Sequence, residues 1–284
     1  LSRRLADLFP GRPRLQVGAL LAGPVGWLVI GYLGSLAVLL IAAFWTVDPL
    51  SGEVVQGFSL ENVETLVEEP VYRDIAGRTI LIAALVTLTD ALLAFPIAFY
   101  MAKVASRRGK ALLVIAVLLP LWSSYLVKVY AWRTMLSANG IVNWVLDPFG
   151  LQGPGFGNTA VWLVMSYLWL PYMILPIYAG LERIPNSLIS ASEDLGAAPF
   201  TTFRRVILPL VFPAVVAGSI FTFALTLGDY ITPRLVSNNQ FIGNVVFNNI
   251  ANNLPLASAF ALVPIVVMIG YLLVARRLGA FEHI

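Results

Sequence analysis

The chain is predicted to be an all-α integral membrane protein with six transmembrane helices, and three observations predict it. Of its 284 residues 59% are hydrophobic and only 12% charged, with a mean hydropathy of +0.84. A soluble domain carries about 25% charged residues, so most of this surface must face lipid or other apolar helices. The apolar residues also gather into six runs, each long enough for a hydrocarbon core of about 30 Å at about 1.5 Å per helical residue. Finally, the basic residues fall on one side of the succession of runs.

In order, the runs are Val17–Val47, Ile75–Val104, Ala111–Leu136, Ala160–Leu181, Leu210–Leu235 and Leu254–Ala275. The first follows Arg3, Arg4, Arg12 and Arg14, as a signal peptide would. Its apolar stretch is much longer than the roughly 7–15 residues of a cleavable segment, so a retained span is expected. Between the first and second runs, Ser59 is placed to cap a helix over Leu60–Glu69, with Leu60, Val63, Leu66 and Val67 on one face and Pro70 at its end. The stretch between Leu136 and Asn158 holds Gly140, Pro148, Gly150, Gly153, Pro154, Gly155 and Gly157, a density that means turns. The Ser237–Asn253 segment is Asn-rich and amphipathic. No internal repeat is evident, and a single transmembrane domain over 1–284, with a core at about 59–275, accounts for the chain.

Orientation follows from charge. Arg3, Arg4, Arg12, Arg14, Lys103, Arg107, Arg108, Lys110, Arg183, Arg204, Arg205, Arg276 and Arg277 share one side. The other has the acidic stretch Asp48, Glu53, Glu61, Glu64, Glu68, Glu69 and Asp74, relieved by Arg73 and Arg78. The basic side is expected to be cytoplasmic, with both termini on it. The localisation expected is a bacterial cytoplasmic (inner) membrane, crossed several times.

Several chemistries are excluded. Without cysteine there is no disulfide, thiol nucleophile or Cys-based metal site. The one histidine, His283, is a tail residue. No phosphate loop of the type G-x-x-x-x-G-K-[ST] and no H-E-x-x-H occurs, so this chain is expected to bind no nucleotide, metal or cofactor and to catalyse nothing. The formal net charge of +3 is sorted by membrane side and gives no reason to expect nucleic acid as a partner, only lipid.

The stretch Leu188–Pro209, LISASEDLGAAPFTTFRRVILP, is polar and basic yet lies between two long apolar runs. Leu188, Ile189, Ser192 and Leu195 share one helical face. Gly196 stands where a left-handed residue closes a helix. Pro199 can open a second short helix, and Pro209 marks the entry into the next span. The residues alone fit either a docking surface or an ordinary helical loop. The stretch resembles the EAA loop of ABC importer permeases, Glu-Ala-Ala, three residues, Gly, nine residues, Ile-x-Leu-Pro. Here Ser190-Ala191-Ser192 is followed by Gly196 and by Val206-Ile207-Leu208-Pro209 at the same spacing, with Ser190 in place of the Glu, Ser192 of an Ala and Val206 of an Ile. Glu193 and Asp194 keep acidic charge nearby. The resemblance makes 182–209 the coupling loop to an ATPase subunit, carried by Leu188, Ser190, Ala191, Ser192, Glu193, Asp194, Leu195, Gly196 and Pro209.

A narrower resemblance, to spermidine/putrescine permeases, runs in order from about Ser59 to Ala275. It is carried by Leu119-Pro120-Leu121-Trp122-Ser123-Ser124-Tyr125 through Trp132, by Phe95-Pro96-Ile97-Ala98-Phe99-Tyr100, by Leu227-Gly228-Asp229-Tyr230 and by Ile242-Gly243-Asn244-Val245. It implies the type I (MetI-like) importer fold, a second related permease, two ATPase subunits that hold ATP and Mg, and an extracytoplasmic substrate-binding protein. Permeases of this sequence type also handle opines and other small organic solutes.

A polycation crossing a low-dielectric path needs carboxylates or aromatic faces. Asp90, Trp122, Tyr125, Asp229 and Tyr230 are the candidate path residues. The aromatic rings equally suit helix packing or an interfacial belt. Asp90 equally suits a hydrogen bond to a neighbouring helix through Thr87 or Thr89. Lys128, Arg133 and Arg234 suit pairing with Asp229 or with an Asp of the partner permease, or a path for an anionic or zwitterionic solute. A stand-alone channel or secondary transporter would instead use Asp90 and Asp229 as an ion relay. The topology is testable in this Cys-free chain. Single cysteines at Glu64 and Asn249 are expected to react with an impermeant maleimide from outside, and those at Arg107 and Ser190 are not; the reverse pattern would invert the orientation.

Overall fold

The computed structural model describes residues 13–277; Arg3, Arg4, Arg12 and His283 lie outside the described residues. In chain order the helices are α1 Pro13–Trp27, α2 Gly34–Ala42, α3 Glu61–Glu68, α4 Pro70–Phe99, α5 Arg107–Trp122, α6 Tyr125–Leu136, α7 Ile141–Leu146, α8 Asn158–Arg183, α9 Asn186–Asp194, α10 Pro199–Thr202, α11 Leu208–Gly228, α12 Ile231–Val236, α13 Ile242–Asn249 and α14 Leu254–Arg277. Widened π turns at Leu28–Leu33, Tyr100–Val104 and Phe203–Ile207 join or extend some of them. A hairpin of β1 Thr46–Val47 and β2 Val54–Val55 pairs antiparallel, Thr46 opposite Val55.

Five helices among the described residues are long and apolar enough to cross a membrane: Leu20–Ala42, Pro70–Val104, Asn158–Arg183, Pro199–Gly228 and Leu254–Arg277. The expected third span is not one helix. It breaks between α5 and α6, which meet at 89°, and makes a sixth crossing only if the bent pair is one span. Pro120, two residues before the end of α5, donates no hydrogen bond, and Ser123 is extended (ψ 148°). The Pro120 carbonyl opened by the break accepts from Ser123 Oγ at 2.8 Å and from Lys128 Nζ at 3.0 Å.

The fifth span also ends earlier than expected, at Gly228 instead of Leu235, because Asp229 turns the backbone extended (ψ 126°). At its other end Pro209 does not punctuate the entry. The helix runs unbroken from Pro199 to Gly228. The carbonyl that the Pro209 ring would strike, four residues back, belongs to Arg205, inside the π turn Phe203–Ile207. A widened turn there relieves the clash without ending the helix.

The chain forms two compact units: residues up to Glu68 with Asn249–Leu262, and Glu69–Asn248 with residues from Val263 on. In the first, Ser59 Oγ accepts from Glu61 N at 3.2 Å and caps α3 as expected. The buried face differs from the expected one. Leu60 and Val67 are exposed, and Asn62 is buried, its Nδ2 donating to Ala43 O (3.1 Å) and Trp45 O (2.7 Å). The carbonyls freed where α2 ends outrank one more apolar contact. Phe44 stacks on Phe58 at 5.1 Å. Asp48 accepts from the Leu50 and Ser51 amides in the hairpin turn, which holds its carboxyl below the usual range.

The second unit is built on α4, α8 and α11, which pack on one another pairwise. Ile82, Val86, Val161, Val164, Met165 and Leu168 fill one half of the core, and Ala94, Ala98, Met101, Met173, Ile177 and Leu181 the other. Tyr271 of α14 stacks on Phe223 at 4.9 Å, and its hydroxyl meets Ser219 Oγ at 2.5 Å. Small residues set the approach of α8 and α11. A Cβ on Gly180 would lie 2.5 Å from Ala214 Cβ, and one on Gly218 2.8 Å from Met173 Sδ. Between lipid-solvated helices such close packing replaces the hydrophobic effect as the driving force. Gly180→Val is therefore expected to cost about 1–3 kcal/mol, read as a lower melting temperature in detergent, whereas Gly77→Val, where no atom lies within 4 Å of the added Cβ, should change it far less.

Candidate functional site

Two helix breaks meet in the second unit. Gly228 ends α11, and the Asp229 carboxylate turns back to cap α12. Oδ1 accepts from Ile231 N at 2.9 Å and Thr232 N at 3.3 Å. Oδ2 accepts from Tyr125 OH at 2.5 Å, and that hydroxyl also meets Thr232 Oγ1 at 2.8 Å. Tyr125 is the first residue of α6, directly after the break in the third span. A single carboxylate therefore ties the break in the third span to the break in the fifth.

The packing behind it leaves no slack. A Cβ on Gly243 would lie 2.9 Å from Asp229 O and 3.0 Å from Tyr230 Cβ. Asn244 Nδ2 donates to Tyr230 O at 2.9 Å. Tyr230 stacks on Phe247 at 4.5 Å, and Tyr125 on Trp169 at 5.9 Å, with Tyr172 edge-on to Trp169 at 6.0 Å. In front lies a cavity of about 370 Å³ lined by Tyr125, Trp169, Ala224, Leu225, Gly228, Asp229 and Tyr230. Asp229 is half-buried, and a carboxylate with about four lone-pair directions still has one to offer beyond its three donors.

The structure brings three of the five expected path residues together, Tyr125, Asp229 and Tyr230, and adds Trp169. Trp122 is not among them: it closes α5 and is 83% exposed. Asp90 is not among them either. It is fully buried, and neither carboxyl oxygen has a hydrogen-bond partner among the described residues. The neighbours proposed for it are committed elsewhere, Thr89 accepting from Trp162 Nε1 at 3.0 Å and Thr87 donating to Ala83 O at 2.7 Å. The bases expected to neutralise Asp229 do not. Lys128 caps Pro120, Arg133 lies over the Phe156 ring (5.8 Å), and Arg234 over Phe247 (5.2 Å). The ion pair found among the described residues is Lys110–Glu182.

The Leu188–Pro209 stretch is two short helices around a left-handed residue. Gly196 has φ +75°, its N–H donates to Glu193 O (2.8 Å), and Ala197 N donates to Ser192 O (3.1 Å), which together close α9 in a Schellman motif. The expected apolar face splits. Ile189 packs inward on the cluster around Ile184 and Ile207, and Ser192 Oγ meets buried Thr202 Oγ1 at 2.9 Å. Leu188 is 44% and Leu195 88% exposed, and Ser190, Ala191, Glu193 and Asp194 are exposed with them.

Sequence reasoning named Trp169 only as one of several aromatic faces and did not place Thr232, Gly243 or Asn244 beside Asp229. One signal was present, an Asp two residues ahead of the short Ile231–Val236 segment, within reach of its first amides. The others are distant in sequence and carry none.

Long apolar helices, a broken third span and a closely packed three-helix core define a multi-span α-helical membrane permease. The chain belongs to the family of binding-protein-dependent transport system inner membrane components, matched over residues 75–281. It is 44% identical to the inner membrane ABC transporter permease protein YdcU of Escherichia coli, over 98% of this chain and 95% of that one. It is 30% identical to the spermidine/putrescine transport system permease protein PotB of Haemophilus influenzae (83% and 84% covered) and of E. coli (89% and 94%). Its fold is similar to a chain of a bacterial alginate importer (TM-score 0.68, 18% identity, 92% and 95% covered) and to one of the MetNI methionine transporter (0.57, 14%, 73% and 94%). The chain is thus a non-catalytic, membrane-embedded permease subunit of an ABC importer, forming a path for a small solute.

Removing the Tyr125 hydroxyl deprives Asp229 and Thr232 of a shared partner. Tyr125→Phe is expected to lower stability by about 1–3 kcal/mol, seen in thermal melting, while Tyr130→Phe, at a half-exposed ring, leaves the melting point in place.

Proposed function

We propose that this chain passes a small organic cation, of the polyamine type, along a path shared with a second related permease, powered by two ATPase subunits holding ATP and Mg and supplied by an extracytoplasmic binding protein. One observation carries the substrate class: a carboxylate without a basic partner among the described residues, set in a cavity walled by Tyr125, Trp169 and Tyr230. Aromatic faces and an unneutralised carboxylate attract an ammonium group and repel a carboxylate. The commitment of Lys128, Arg133 and Arg234 to other groups favours this over an opine or another anionic solute. The likeness to PotB, whose name gives spermidine and putrescine, supports the same reading.

On this reading the whole chain acts as one permease domain with both termini cytoplasmic, and 182–209 is the coupling loop. Exposed Leu188, Leu195 and the acidic Glu193 and Asp194 face the ATPase, while the closed Gly196 turn keeps α9 and α10 as one piece. ATP-driven closure of the ATPase pair then selects between states of the permease by differential binding.

Asp229→Asn retains one oxygen to cap α12 and loses the charge together with the second acceptor that the Tyr125 hydroxyl uses. Putrescine uptake into proteoliposomes holding the complete importer is expected to fall at least about tenfold, with the complex intact on size exclusion. Unchanged uptake would remove the cationic path from this residue.

A further inference from the structure

We propose that Lys103 is a positioning residue that yokes the second span to the elbow ahead of α9, so that movement of the coupling segment is delivered to α4 as well as to its own neighbours α8 and α11. The inference rests on the coupling-loop reading above.

The elbow is Ile184–Pro185, two residues with extended backbone between the end of α8 and the start of α9 (ψ 116° and 138°). Ile184 is buried, and its carbonyl has left the α8 ladder. Lys103, in the π turn that extends α4, reaches 81 residues forward. Its Nζ donates to Ile184 O at 2.6 Å and to Asn186 Oδ1 at 3.2 Å, one group on each side of Pro185. The ammonium therefore holds the last carbonyl of one helix and the first side chain of the next, with a charge-assisted bond, the stronger kind. It is half-buried, so competition from water is reduced.

A second lysine braces the same elbow. Lys110 Nζ pairs with Glu182 Oε1 at 2.5 Å, two residues before Ile184. The turn between α4 and α5 thus grips the elbow at Glu182, Ile184 and Asn186. On the far side, Ser192 and Thr202 join α9 to α10 and the helix that continues into α11. Ser192 departs from the Ala of the motif, and this hydrogen bond uses the departure. The coupling segment is held by polar bonds to α4 on one side and to the fifth-span helix on the other. Its displacement cannot be absorbed at the elbow while Lys103 stays bonded, and α4 packs along both α8 and α11. A mere cap for Ile184 O would stabilise the elbow but leave α4 free to stay behind.

The test uses the complete importer purified through a tag on this chain, with partner subunits freed of cysteine. Nitroxides at Ser106 and Ser187 straddle the elbow, and pulsed EPR measures their separation before and after ATP–vanadate trapping. In the otherwise unchanged chain one narrow separation is expected in both states. In Lys103→Met it should broaden or shift on trapping, and stimulation of ATP hydrolysis by the importer's own binding protein should fall about tenfold, the scale of a lost charge-assisted bond. Lys103→Arg should restore both. The inference is overturned if trapping changes the separation in the unchanged chain, or if Lys103→Met keeps both the separation and the stimulation. Cross-linking of Leu195→Cys to the ATPase tests the loop reading separately: its failure sinks that reading, whereas a cross-link with a loose elbow sinks only the role of Lys103.

Discussion

A backbone carbonyl or amide inside a membrane has no water to turn to, and this constraint governs the second unit. Unsatisfied groups there cost several kcal/mol each, so every interruption of a helix must be filled by a side chain. Pro120 O accepts from Ser123 and Lys128, and the Ile231 and Thr232 amides donate to Asp229. The same filling defines where the permease departs from a simple bundle.

That constraint also explains why Asp229 serves the structure and, on the reading proposed above, the path as well. As a cap it is fixed in position by two amides and a tyrosine hydroxyl, so its charge is held in one place at the cavity wall. A carboxylate already oriented by its neighbours meets a passing ammonium group without rearrangement, the general advantage of preorganised polar groups. Asp90 has no hydrogen-bond partner among the described residues, although by sequence it is the more conspicuous of the two, being nearer the middle of its span.

The two ends of the second unit are built by opposite means. Around the cavity, aromatic stacks and short helix fragments leave space. Along Leu188–Pro209 and the elbow before it, the Schellman turn at Gly196, the Ser192–Thr202 bond and the two lysines remove freedom. Between them α8 and α11 approach closely at Gly180 and Gly218, a contact with no room for side-chain slack. On the coupling-loop reading, this close contact is the link along which a displacement would travel.

By itself the sequence determined the membrane class, the approximate spans, the capped α3 and the left-handed Gly196. Each is a local matter of hydropathy, helix period or backbone conformation within a few residues. Tertiary structure alone decided where the third and fifth spans break, that Pro209 leaves its helix unbroken, that Asn62 and not Leu60 or Val67 is buried, and that Asp229 answers Tyr125 instead of a base. It also decided which of the candidate path residues share a cavity and that Lys103 reaches Ile184. These outcomes depend on which group, often about a hundred residues away, satisfies an opened carbonyl or a lone carboxylate, and no periodicity along the chain records that pairing.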